Sequence, residues 1–543
     1  MAKNNLCIEV LGTSLSISTD EDAKYLDTLL EKYRQAIEDV KRKSGIKDPL
    51  KIAVLTGFLL CDDLQKAGPA RLSPEDGEAE QLTLGMISRL DELVEEASQK
   101  DTEYHVEDNK TPCASVPSCL CENNIGILKL QNTVKNYEWG SAEWIPELLS
   151  QRNISRVPWA ELWMGVHEAG PSLVSEDDRS PPLLLSKLIG QNPAAFLGQA
   201  CAENFGKLPF LFKVLAAAKP LSIQAHPSLD QAADGFEREN SQGIPLDSPK
   251  RNYRDPNHKP EIICALSDFT ALCGFRNPDE ICFLLEILRD SALDSEELKA
   301  GFDMIVSALS SSRSQGENPL KAFLPELFKL SGKALGQFIK AHGPTLEKDF
   351  PEYRDEWKLC SYLADACPPT DTGDPGILAP LFLNIVELAP GEAMNLPSGV
   401  LHSYIHGLGI ELMADSDNVL RGGLTNKHVD PEELLKVLDF SEYKPEIIQA
   451  PEKTDAVYSY HSPFKEFVLS VMHGQGSSIP YHKEGPSIVL LTHGETVLSE
   501  PAADSGSPMA KGDSIFIPAG KKLIFDGFFT AYAASVPQAA AKS

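Results

Sequence analysis

The chain has 543 residues, room for three or four domains at about 150 residues each, and its 42% hydrophobic and 24% charged residues are ordinary globular usage. Against 50 basic residues stand 79 acidic ones, a net charge of −29. That excludes a general nucleic-acid or anionic-membrane binder but leaves room for an anionic small molecule in a locally basic pocket.

No apolar run is long enough to span a bilayer, and no signal-peptide-like hydrophobic region follows Met1. Eleven scattered cysteines read as the reduced thiols of a cytoplasmic protein. Residues 6–18 alternate apolar and polar positions around Gly12 and predict a β-hairpin. Thr19, with Asp22 three residues on, caps a helix bearing Leu26, Leu29, Leu30, Tyr33, Ile37 and Val40, and Gly45 ends it. A second helix covers about 50–67. Met86, Leu90, Leu93 and Ala97 then step by four and three, a short coiled-coil seam whose plainer reading is one more amphipathic helix. Residues 99–124 are polar and aperiodic and form a linker; Cys113, Cys119 and Cys121 in it fit no zinc spacing and read as incidental thiols.

From Ile125 to about Phe275, short strands and turns prevail. Asn277 as cap, Pro278 at the first helical position and Glu280 as capping-box partner begin a helical block that runs to about Ala366. The Pro- and Gly-rich stretch 368–376 breaks it, and strand-like chain resumes at 381–386. A helix over 430–438 leads to a last, all-β segment with alternating runs at 487–491 and 514–517, of sandwich or jelly-roll type.

Four stretches carry candidate chemistry. If 221–226 is a strand, Leu221, Ile223 and Ala225 face the core, and Ser222, Gln224 and His226 face the other side. A Gln oxygen and a His nitrogen are both ligands for a divalent metal; a solvated polar face is the plainer reading. Around 257–263, Glu261 shares a face with Lys259, as an ion pair or as a ligand. His402, Tyr404 and His406 share a face if 402–406 is extended, and either histidine can be a ligand. This is not the helical metalloprotease motif, because no Glu follows the first His. In 416–427, Arg421 and Lys427 beside Gly422 and Gly423 can hold an oxyanion or stand as solvated charges on a glycine loop.

In this order, and together with 136–141 (Asn-Tyr-Glu-Trp-Gly-Ser), 160–165 (Ala-Glu-Leu-Trp-Met-Gly) and Gly170-Pro171-Ser172, the four stretches resemble the type I phosphomannose isomerases over roughly residues 127–540. Gly422 and Asn426 stand where the family usually has a small residue and a proline, which bears on local loop shape. The resemblance implies a multidomain, mainly β chain with two cupin or jelly-roll units. The catalytic cupin domain would be 125–276 and 377–454, the α-helical insertion 277–376 and the second jelly roll 455–543. It implies one Zn²⁺ per chain on Gln224, His226, Glu261 and His402, with Arg421 as the active-site arginine. The implied reaction is reversible conversion of mannose 6-phosphate to fructose 6-phosphate through an enediol. Ser222, Lys259, Tyr404, Asp417 and Lys427 are the expected sugar or phosphate contacts. The proton-moving base stays open among Lys259, Asp417, Tyr404 and a metal-bound water.

Residues 8–12, the helix holding Tyr25, Leu26 and Leu29, and residues 51–55 are similar to the ZapA family of bacterial division-ring proteins. That implies a small α/β head plus helix over 1–98 and homo-oligomerisation or FtsZ binding, or a dimerisation handle with no division role. Two other readings stand beside the isomerase. One is a division scaffold whose isomerase-like part is inactive; the other is a non-heme iron cupin oxygenase using two His and one carboxylate. As an isomerase the chain would serve carbohydrate metabolism in the cytoplasm, in mannose breakdown or in the supply of GDP-mannose.

Overall fold

The computed structural model describes residues 4–10, 13–19, 32–34, 36, 37, 40, 42, 56, 126–174, 182–366, 373–454, 456–501 and 506–537. The chain divides into two units, Met1–Cys113 and Ala114–Ser543, each taken by itself. In the first, Asn4–Val10 pairs antiparallel with Thr13–Thr19, from Asn4 opposite Thr19 to Val10 opposite Thr13, as the alternating pattern predicts. The seam at residues 86–97 and the three cysteines of 113–121 lie outside the described residues.

The second unit holds two antiparallel sheets and a helical block. One sheet of ten strands runs Leu383–Leu388, Phe269–Phe275, His402–Ala414, Phe210–Ala217, Glu161–Met164, Thr133–Lys135. Glu261–Ala265 pairs with His402–Ala414 and with Ala393–Leu396, and Ile223–Ala225 pairs with His402–Ala414 and with Leu420–Gly423. The other sheet is built on Val468–His482, Lys522–Ser535 and Ser487–Ser499, and Ser514–Ile517 extends it to Leu128–Gln131, far upstream in the chain.

The strand Phe210–Ala217 explains which face carries the chemistry. Side chains alternate across a strand. Phe210, Phe212, Val214 and Ala216 enter the core shared with Leu469, Val471, Ile488 and Leu490 of the second sheet. Leu215 and Ala217 enter a different core, with Ile263, Phe269, Met394 and Tyr404. Lys213 shares that second face by alternation, and so do Glu261 and Glu411 on neighbouring strands. One face fuses the two sheets, and the other carries the buried charged groups beside a second apolar core.

The expected mainly β architecture with two cupin or jelly-roll units is corrected by the structure. The second unit is mixed α/β with about as much helix as strand, and among the described residues neither sheet closes into a barrel or curls into a jelly roll. Alternation specifies a strand with one buried face; it carries no information about whether the end strands of a sheet meet.

The helical block holds Pro278–Ser291, Glu296–Gln315, Pro319–Leu327, Gly332–Asp349 and Arg354–Ala366 around Leu284, Leu288, Phe302, Phe323 and Trp357. Asn277 caps the first helix by accepting from the N–H of Asp279, with Pro278 at the first position. Glu280 does not complete a capping box; it takes the Arg276 guanidinium at 3.0 Å instead, a charge-assisted partner that outcompetes a neutral N–H. Past the block, the buried Asp374 accepts from the N–H of Gly376 at 2.7 Å and of Thr425 at 3.1 Å. It thereby ties the exit of the block to the loop after Arg421. A Cβ on Gly423, whose φ is +142°, would lie 2.8 Å from Asp374 Oδ1, so only glycine lets the loop approach that carboxylate.

Candidate metal centre

Strand pairing gathers the metal-binding residue types from three places in the chain and brings Arg421 beside them. His402 opens the long strand His402–Ala414 and stands opposite Gln224 of Ile223–Ala225. On the other side of Ile223–Ala225, Gln224 faces Arg421. Glu261 opens its own strand, opposite Met413. His226 follows directly on Ala225. Directly opposed residues share a face, so the amide, the imidazole and the guanidinium of Gln224, His402 and Arg421 project to one side.

His226, Glu261 and His402 are fully buried, and they offer ligand atoms that all lie within 4.8 Å of one another. His226 Nε2 is 3.4 Å from Glu261 Oε1, and His402 Nε2 is 3.5 Å from Glu261 Oε2. The amide nitrogen of Gln224 lies 3.3 Å from His402 Nε2; a half-turn of that amide puts its oxygen, a ligand atom, in the same place. The outer nitrogens are committed elsewhere. His226 Nδ1 donates to the Asn418 carbonyl at 2.7 Å, and His402 Nδ1 donates to the Val400 carbonyl at 3.0 Å. Both imidazoles are thus held in the tautomer that turns an Nε2 lone pair inward.

The inner atoms are under-satisfied. His226 Nε2 and both oxygens of Glu261 are buried with no hydrogen-bond partner. Lys259 Nζ lies 2.8 Å from Glu261 Oε1, an ion-pair contact that still leaves the carboxylate without an aligned donor. Orphaned buried polar atoms converging on one point need a partner, and a divalent cation supplies it. The donor set fits: two nitrogens and a carboxylate, with an amide beside them.

The electrostatics agree. Burial pushes His226 down to about 4, helped by the Lys259 ammonium, so its imidazole is neutral and free to ligate. Burial would raise the Glu261 carboxyl, but the positive charge of Lys259 outweighs it and holds the group well below the usual carboxylate range. Arg421 is lowered by burial and then by the neighbouring Arg254, and Lys427 by burial, Arg421 and Arg254. The shifts record a cationic cluster beside the centre whose members repel one another until an anion arrives.

The remaining candidates take different places. Ser222 and Gln224 are half-buried and Lys259 is buried. Lys427 is exposed, its Nζ over the Tyr137 ring at 5.6 Å from the centroid. Tyr404 is buried against Phe269, and burial, reinforced by Glu411 and Glu261, raises its phenol well above its ordinary value, so it stays protonated. Asp417 is 45% exposed and receives His167 Nε2 at 3.2 Å. Burial would raise it, but the His167 hydrogen bond and charge hold it low, as a carboxylate. His406 is exposed and packs edge-on against Trp144, away from the centre.

Comparison with known proteins bears on this geometry. A family model for the phosphomannose isomerase type I catalytic domain matches residues 127–278. The mannose-6-phosphate isomerase of Salmonella typhimurium is 36% identical over 400 residues, covering 73% of this chain and 96% of that protein. The chain belongs to the type I phosphomannose isomerases. The human mannose-6-phosphate isomerase is 32% identical over 422 residues, covering 73% of this chain and 94% of its own. A zinc-bound holo structure of a mannose 6-phosphate isomerase aligns over 76% of this chain and 100% of its own, with a TM-score of 0.65 at 33% identity. A second family model, cell division protein ZapA, matches residues 6–100.

Sequence reasoning passed over a charged trio on the same face of the sheet as Glu261. Lys213 lies 2.9 Å from Glu411 Oε2 and 3.5 Å from Glu161 Oε1, and Trp163 Nε1 donates to Glu161 Oε2 at 2.8 Å. All three charges are buried; burial would lower Lys213, but the two carboxylates raise it above its ordinary value. The signal was available, since Lys213 interrupts Phe210–Ala217 and Glu411 interrupts Ile410-Glu411-Leu412-Met413, and a lone charge in a buried strand needs a partner.

Proposed function

We propose that the chain interconverts mannose 6-phosphate and fructose 6-phosphate, with Gln224, His226, Glu261 and His402 holding one zinc ion. The observation that carries this is the buried convergence of His226, Glu261 and His402, with orphaned inner atoms, beside a cationic cluster. Zinc, when bound, supplies Lewis acidity at the substrate oxygens without a redox liability. Two imidazoles, an amide and one carboxylate would leave the centre a net positive charge.

The reaction moves a proton between C2 and C1 of the open-chain sugar, and the enediol on the way accumulates negative charge on its oxygens. Arg421 stays cationic at any working pH and is the group that stabilises that charge. Ser222 and Lys427 take the phosphate and sugar. Tyr404 is not the base, because its phenol remains protonated. Asp417, ionised and partly open to solvent, is the side chain able to accept the proton; Lys259, ion-paired with the carboxylate of Glu261, can only donate one. The two-histidine, one-carboxylate pattern of an iron oxygenase is disfavoured by the amide of Gln224 beside His402. Purified full-length protein is expected to turn over mannose 6-phosphate in a coupled isomerase assay and to contain zinc. A zinc-loaded protein without turnover would overturn the assignment.

The catalytic unit is read as 125–276 and 377–454, with 277–376 inserted, 455–543 appended and 99–124 a linker. Residues 1–98 serve self-association, on the strength of the match to the ZapA model, and FtsZ is the partner that match suggests. A version lacking residues 1–110 is expected to sediment as a smaller assembly than the full chain; the same oligomeric state in both would overturn the association role. Among the described residues no helix is long and apolar enough to cross a membrane. Free, buried Cys264, Cys273 and Cys360, each pushed up by burial, suit a reducing cytoplasm.

A further inference from the structure

The turn that leads into Lys259 and Glu261 takes bonds from the Ser416 hydroxyl and the Asp417 N–H. Most of its backbone bonds go to one further side chain, Asn418, which the proposed chemistry does not use. Asn418 is fully buried. Its Oδ1 accepts from the N–H of Arg254 at 2.7 Å and of Asp255 at 3.3 Å. Its Nδ2 donates to the carbonyls of Asp255 at 2.7 Å and Asn257 at 2.9 Å. A carboxamide has two donors and two lone pairs, and here all four go to one stretch, 254–257. The same residue's backbone carbonyl accepts His226 Nδ1–H at 2.7 Å.

Asn418 is thus fastened through its side chain to the segment that delivers Glu261, and through its main chain to the imidazole that faces Glu261. We infer that Asn418 is a positioning residue of the metal centre: it sets where His226 Nε2 stands relative to the Glu261 carboxylate by anchoring both segments to one point. The inference rests on the metal-site reading given above. A metal holds its ligands to narrow distances, so a shift in either segment loosens the grip even when the fold survives. A residue that merely stiffened the turn would change stability and leave the metal's affinity and ligand field alone.

Asn418→Asp keeps the shape and replaces Nδ2 with an acceptor facing the Asp255 and Asn257 carbonyls; Asn418→Ser removes all four bonds and leaves room for water. On the full chain, zinc affinity is measured by competition with a chelator, and cobalt(II) substituted for zinc reports the ligand field in its visible spectrum. Both variants are expected to bind zinc roughly 10- to 100-fold more weakly, the usual loss for an outer-shell partner, with an altered cobalt spectrum. Unchanged affinity and an unchanged spectrum would overturn the inference, and so would loss of the folded far-UV signal in both variants. If the unsubstituted protein bound neither metal, the metal-site reading itself would fall, a result distinct from variants that bind as well as it does.

Discussion

Replacing His402 with alanine is expected to remove zinc and isomerase activity together. His402 contributes the Nε2 that stands 3.5 Å from Glu261 Oε2 and beside the Gln224 amide, and its other nitrogen is already committed to Val400. Without it the remaining donors are one imidazole, one amide and a carboxylate that Lys259 already contacts at 2.8 Å. Affinity should therefore fall by more than the ~100-fold that the loss of an outer-shell partner typically costs. The helical block is expected to stay folded, because its core is Leu284, Leu288, Phe302, Phe323 and Trp357, none of which depends on an ion. Metal content after dialysis, the coupled assay and the far-UV helical signal are the three readouts. His406→Ala is the control: His406 is exposed against Trp144, so both zinc and turnover should be retained. A His402→Ala protein with full activity and no metal would refute the ligand assignment.

That control also marks how far the sequence could be read. Alternation places His402, Tyr404 and His406 on one face with equal standing, and the residues alone left both histidines open. What separates them is strand pairing: His402 stands opposite Gln224 and Cys273, whereas the register slips between Thr270 and Ala271 and His406 reaches the surface. Cross-strand partners are long-range facts that a local pattern does not hold. The four proposed ligands were legible as residues, and their convergence became legible only through the order of the motifs. Elements did better than architecture. The N-terminal hairpin, the Asn277 cap with Pro278, and the helix capped by Asp430 lie where composition and turn chemistry put them. Whether the sheets close was not written in any stretch, and the expected jelly rolls proved to be open sheets. Buried charge is the signal left unused: Lys213, Glu161 and Glu411 are buried in strands, where a charge needs a partner. Nothing local in 416–427 shows that the amide of Asn418 reaches back to 254–257.

Arg421→Ala is expected to lose turnover while keeping zinc. Arg421 stands opposite Gln224 on a paired strand but is not among the converging ligand groups, so its loss leaves the donor set intact. What disappears is the cation proposed to stabilise the enediol oxygens as they gain charge. Removing one preorganised donor to a developing oxyanion typically costs about 100- to 1,000-fold in kcat. The direction of the split is the informative part. If Arg421 acted only on the phosphate, in ground state and transition state alike, KM would rise with kcat unchanged. Charge stabilisation in the transition state instead lowers kcat and kcat/KM together. Arg421→Lys keeps the charge but not the two-pronged geometry, so it should recover part of the loss. Lys427 supplies an internal reporter: with Arg421 gone, one of the cations that depress its pKa is absent, and that pKa should move up toward its ordinary value. Unchanged kcat in a zinc-replete Arg421→Ala protein would take Arg421 out of the chemistry. Loss of zinc in the same variant would mean that the strand Leu420–Gly423 supports the ligands through Gln224, and the guanidinium would then be a structural group.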